Sequence, residues 1–139
     1  MSFRIFALLI APFAALPTAF AAKWEKVGET AAVALYADKE TLRRSGSEVR
    51  SWVEWRWLRP TDMPDGSRQY RLERQVQVSN CDQRSFAVVE GTFYADERGV
   101  DPITSYKYDE ATLPWNRPPS RAIRDTLITW MCQAAPAKK

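Results

Sequence analysis

Histidine is absent from all 139 residues of this chain. That removes the commonest general base and the commonest metal ligand in proteins. Cysteine occurs only twice, at Cys81 and Cys132. A structural zinc site takes four Cys or His ligands, and a redox dithiol usually places its cysteines close together, so both readings of the pair are weak. No Gly-x-Ser-x-Gly elbow and no phosphate-binding loop occurs. The net charge is only +3, and no concentrated basic footprint calls for nucleic acid. No apolar run reaches the ~20 residues that span a bilayer. These absences argue against an enzyme, a cofactor, a metal, a nucleic-acid ligand and a membrane span.

What is present begins with a leader. Met1–Ala21 has a basic start at Arg4, an apolar run from Ile5 to Leu16 and the ending Ala19-Phe20-Ala21. Small residues at the first and third of these positions suit signal peptidase, so the cut is expected after Ala21. An uncleaved anchor is the rival reading, but the run is short for one. No cysteine stands near the cut, so the chain is not expected to be a lipoprotein. Export to the periplasm or beyond also suits two cysteines, which an oxidising compartment favours pairing. The expected organisation is a signal peptide at 1–21, one domain at 22–133 and a disordered tail at 134–139.

The mature chain reads mainly as strands. Trp24–Val27 and Ala34–Ala37 are short ones, and Ser45-Gly46-Ser47 is a turn. Val49–Leu58 alternates clearly, with Val49, Val53, Trp55 and Trp57 on one parity and Arg50, Trp52, Glu54, Arg56 and Leu58 on the other. Period-two alternation of β-branched and aromatic residues is a sheet pattern. Pro60 is expected to end this strand, and Pro64-Asp65-Gly66 to turn the chain. Arg68–Ser79 then places Tyr70, Leu72, Val76 and Val78 on a buried face. Gln69, Arg71, Glu73, Gln75, Gln77 and Ser79 take the other face, which reads as solvated. Ser85–Tyr94 and Val100–Tyr108 complete the strands. Pro102 marks the last as an edge, since proline cannot donate to a ladder. Asp109–Pro119 is irregular.

Ser120 is expected to cap a helix carrying Ile123, Leu127, Trp130 and Met131 on one stripe. Arg121 and Asp125 are spaced to pair along it. A helix of about three turns is marginal alone. A Cys81–Cys132 disulfide would tether it to the sheet, and closing a loop of roughly 50 residues is worth about 4 kcal/mol. The fold class is therefore α+β: a single antiparallel sheet of five to six strands, with a C-terminal helix on one face held by a disulfide.

Among possible sites, Trp52 differs from Trp55 and Trp57 in parity. It is expected on a solvent or partner face beside Arg50 and Arg56, although aromatics on an alternating strand more often pack into a core or dimer interface. Asp96, Glu97 and Asp101 lack the spacing of a calcium loop. Glu54 and Glu73 read as solvated sheet residues and not as an acid–base pair. Arg43, Arg44, Arg117, Arg121 and Arg124 read as a scattered basic surface.

Taken in order, several segments resemble the surface-adhesin protein E family of Gram-negative bacteria. They are Lys23-Trp24-Glu25-Lys26-Val27, Leu35-Tyr36-Ala37-Asp38 and Thr41-Leu42-Arg43-Arg44-Ser45-Gly46. The aromatic strand Val53–Trp57 follows, then Phe93-Tyr94-Ala95-Asp96 with Gly99-Val100, and Pro119-Ser120 before the helix that ends at Cys132. The resemblance implies an antiparallel sheet whose concave face carries a disulfide-tethered helix. It also implies dimer formation and, in the named member, binding of host matrix proteins and plasminogen. The expected function is an exported, non-enzymatic binding module. Its partner would be a host matrix protein or a cell-envelope component. The alternative is a periplasmic structural homodimer with an envelope-maintenance role and no host ligand.

Overall fold

A computed structural model describes residues 22–138, so the expected signal peptide and its cut lie outside the described residues. Seven strands form one sheet: β1 (Trp24–Glu29), β2 (Val33–Asp38), β3 (Arg43–Ser45), β4 (Glu48–Asp62), β5 (Gln69–Asn80), β6 (Ser85–Tyr94) and β7 (Pro102–Lys107). Their order is β1-β2-β4-β5-β6-β7, with β3 paired to β4, and every pairing is antiparallel. One helix, α1 (Ile123–Ala134), follows. The α+β architecture is the one expected, with the short β3 as an added strand. Proline-bearing β7 is an edge, as expected. The connections turn where glycine takes positive φ, at Gly46 (59°), Gly66 (71°) and Gly99 (71°), a conformation other residues adopt at a cost.

Helix α1 lies against one face of the sheet. Its Leu127 and Met131 pack with Val33, Leu35 and Ala37 of β2 and with Val49, Val53 and Trp55 of β4. The Cys81–Cys132 disulfide joins the end of β5 to the helix. The opposite, outer face has its own apolar cluster of Val76, Val78, Ala87 and Val89, against which Trp52 and Leu113 pack. Leu113 belongs to the irregular segment after β7, which crosses this face and rejoins the sheet through paired backbone bonds of Asn116 with Phe86 (both 2.8 Å).

Four local expectations are corrected. Strand β4 continues through Pro60 to Asp62, because the register with β5 shifts between Arg56 and Thr61 and leaves the proline in an irregularity that needs no ladder donor. The helix cap is Ala122 and not Ser120; Arg121 has φ 67°, which breaks the chain's path just before the helix. Asp125 pairs with Arg84 (Oδ1 to Nη2, 2.5 Å) and meets Arg121 only at its backbone N–H (3.3 Å). The polar row of β5 is solvated only at its start, where Gln69 is exposed; Gln75, Gln77 and Ser79 are each about 1% exposed or less, beneath the helix.

That buried row is tied together side chain to side chain. Arg124 Nη1 donates to Gln77 Oε1 (2.8 Å), Gln77 Nε2 donates to Ser79 Oγ (3.1 Å), and the Ser79 hydroxyl donates to Met131 Sδ (3.3 Å). Farther along, Tyr106 donates to Glu73 Oε1 (2.8 Å). The neighbours fix the Gln75 amide so that its oxygen accepts from Trp55 Nε1 (2.6 Å) and its nitrogen donates to Glu73 Oε1 (3.1 Å). Buried polar groups stay in a core when they are bonded in this way. The Arg124 guanidinium sits 4.5 Å from both the Trp55 and Phe86 ring centres. It is therefore a helix-docking side chain and not part of a scattered basic surface.

Candidate binding site

Cross-strand register builds the candidate site on the outer face. Trp52 of β4 lies opposite Val76 of β5, Val76 opposite Glu90 of β6, and Glu90 opposite Lys107 of β7. Residues directly opposed share a face, so these four form one transverse row. The Trp52 backbone N–H is held by Thr41 Oγ1 (3.1 Å). Trp52 borders two adjacent hollows, of about 300 and 350 Å³. The first has Val76 and Val89 as apolar floor and a charged rim of Arg50, Glu110, Glu90 and Lys107. Arg50 pairs with Glu110, and Lys107 lies 3.9 Å from Glu90.

The sequence-predicted residues divide between two places. Arg50 and Trp52 line the same hollow. Arg56 lies farther along the strand, its guanidinium 3.7 Å above the Tyr36 ring and 2.7 Å from Glu54. Glu54 is buried at 3% exposed, clamped also by Arg74 (2.6 Å), so the expectation of a solvated residue fails there. Two arginine partners hold it, as a buried charge requires. Glu54 is paired with Arg74 and Trp55 with Glu73, so Glu54 and Glu73 stand on opposite faces and share no cleft. Sequence reading missed Glu90, Lys107 and Glu110, because only the register and the path of the irregular segment bring them to Trp52.

The rim ion pairs are solvent-exposed. Such pairs contribute little, ~0–1 kcal/mol, and can exchange partners at small cost. A half-buried tryptophan on an apolar floor, ringed by exchangeable charges, matches the layout of a protein-binding hot spot. Among the described residues, no cluster of three or more Cys, Asp or Glu side chains is arranged to hold a metal, and no helix is long and apolar enough to cross a membrane.

The family model for surface-adhesin protein E matches residues 24–133, nearly the whole described chain. The chain belongs to the surface-adhesin protein E family. Solved structures of Haemophilus influenzae protein E share the fold. One, crystal form II, aligns with a TM-score of 0.58 at 16% identity over 91% of this chain and 97% of that one. A second gives a TM-score of 0.56 at 16% identity, over 89% and 91%. A third, from non-typeable H. influenzae, gives 0.51 at 16% identity, over 91% and 80%. Among curated proteins, none matches by sequence. Family membership supports a surface-adhesin-like binding protein.

Proposed function

We propose that this chain is an exported, non-enzymatic binding module that meets a protein partner through the outer sheet face around Trp52. The partner is a host matrix protein or a component of the cell envelope. The observation that carries the reading is the setting of Trp52: Trp55, on the opposite parity of the same strand, is buried at 6% exposed, while Trp52 borders two open hollows. Arg50 supplies a rim charge next to Trp52, and Arg56 extends the same face at the far end of the strand.

The test is capture of partners from matrix and envelope preparations by wild-type protein and by Trp52→Ala. Truncating a central tryptophan should weaken the principal interaction at least tenfold, on the scale of ~2 kcal/mol for a hot spot, with the fold intact by circular dichroism. Retention of every interaction by a folded Trp52→Ala protein would remove this face from consideration. A homodimer that consumes Trp52 is the competing use of the same surface. Light scattering separates the two, since that dimer would dissociate on the same substitution. Protease cleavage of the domain on intact cells would support display toward host proteins; protection until the outer membrane is opened would support an envelope partner.

A further inference from the structure

A separate hollow, of about 360 Å³, lies at the end of the sheet away from the Trp52 row, where the β5–β6 turn meets the irregular segment after β7. Its only large apolar member is Trp115, a loop residue 40% exposed. Every other lining side chain is polar, among them Glu48, Asn80, Gln83, Asn116 and Arg117. We propose that this hollow is a carbohydrate-binding subsite, taking a neutral pyranose stacked on the Trp115 indole.

The ligand class follows from the chemistry of the lining. An apolar peptide side chain or a lipid tail needs an apolar pocket, and this one has a single aromatic face. A pyranose has a flat C–H face that packs on an indole and a ring of hydroxyls that both donate and accept. The rim offers both kinds of partner. Asn80 commits its Oδ1 to the backbone N–H groups of Asp82 (3.1 Å) and Gln83 (2.9 Å), which leaves its Nδ2 donors. Asn116 Nδ2 donates to Pro114 O (2.9 Å), which leaves its Oδ1 as an acceptor. Arg117 Nη2 donates to Gln83 Oε1 (2.6 Å), which orients the Gln83 amide nitrogen as a further donor. Glu48 and Arg117 balance in charge, which favours a neutral sugar over an acidic one.

The hollow is also preformed. Cys81 is fixed by the disulfide at one side of the turn. Arg84, at φ 49°, anchors the other side to the helix through Asp125 Oδ1 (2.5 Å) and Thr129 Oγ1 (2.9 Å). The paired backbone bonds of Asn116 with Phe86 pin the loop that carries Trp115. Holding the rim in place before binding lowers the ordering cost, which matters most for weak ligands.

The experiment is NMR on the full mature domain, titrated with methyl glucoside, methyl galactoside and methyl N-acetylglucosaminide. One of the three should bind with a Kd of about 1 mM, moving the Trp115 indole N–H signal ahead of the other five tryptophans and giving saturation transfer to the sugar. Trp115→Ala should weaken that binding at least about tenfold, and Trp115→Phe should keep most of it. Trp52→Ala should leave it unchanged, so this site stands or falls apart from the Trp52 face. No saturation transfer from any of the three sugars, or an equal signal in folded Trp115→Ala, overturns the proposal.

Discussion

On its helix side β5 presents Glu73, Gln75, Gln77 and Ser79; on its outer side the same strand presents Leu72, Arg74, Val76 and Val78. By composition alone the second side is the one to bury. The fold buries both, and the polar side is enclosed by the helix while the apolar side is closed by a loop carrying Leu113. The difference lies in what each contact specifies. Apolar burial is non-directional and roughly proportional to area, so the contact of Leu113 with the outer cluster does not by itself set the loop's position, which the Asn116–Phe86 backbone bonds set instead. The chain of hydrogen bonds from Arg124 to Gln77, from Gln77 to Ser79 and from Ser79 to Met131 has direction, and it fixes both the rotation and the height of α1 on the sheet. The outer face, covered only in part by this loop, keeps open hollows beside Trp52.

The largest break in that comparison is removal of the helix tether. Replacing both cysteines by serine should lower unfolding stability by about 4 kcal/mol, from loop closure over 51 residues. Urea denaturation of the double variant measures the loss. Hydrogen exchange locates it: α1 amides should lose protection first, while the β5–β6 ladder under the outer cluster keeps most of its own. Equal loss on both faces would mean that the tether stabilises the whole sheet and not the helix side in particular.

A smaller break acts beside the helix. Tyr106 of β7 lies across Gly91 of β6 to reach Glu73, and a Cβ added at Gly91 would stand 2.5 Å from the tyrosine hydroxyl. Gly91→Val should cost about 1–3 kcal/mol by overpacking and should displace the Tyr106 ring from Glu73. Thermal denaturation and the Tyr106 ring resonances check both parts. A variant of unchanged stability would show that Tyr106 has another seat and that the Glu73 network does not depend on it.

The alternation of β4 and β5 was enough to pair the strands, and the apolar stripe of Ile123, Leu127 and Met131 was enough to place a helix on the sheet. The cysteine count joined them. What the sequence could not show is which side of β5 the helix would choose. A row of Gln and Ser looks solvated unless the partners that satisfy it are visible. Those partners are Arg124, Tyr106 and Met131, each 31 or more residues downstream of the residues it bonds. The outer-face site was legible in part: parity singled out Trp52 and Arg50, and register with β6 and β7 was needed to add Glu90 and Lys107. Trp115 carried no periodic signal at all, because it lies in an irregular segment.

The smallest effect is a pH dependence confined to the helix side. Burial raises the Glu73 carboxyl above its ordinary 4.5, against the pull of the Tyr106 hydroxyl and the nearby Arg124 charge. Between 4.5 and that raised value the folded chain holds a proton that the unfolded chain has already released. Stability must therefore fall as pH rises through this window, and the penalty is absent below it. The carboxylates held low by hydrogen bonds, Asp65, Asp96 and Asp125, act in the opposite sense. Their stabilisation is lost only as pH falls below 3.8, outside the window. Glu73→Gln keeps an oxygen to accept from Tyr106 and cannot ionise, so its urea midpoint should stay level from pH 4.5 upward while that of the wild type declines. Parallel curves for the two proteins would mean that Glu73 ionises in the fold as freely as in water and that the helix side is more open than its hydrogen bonds imply.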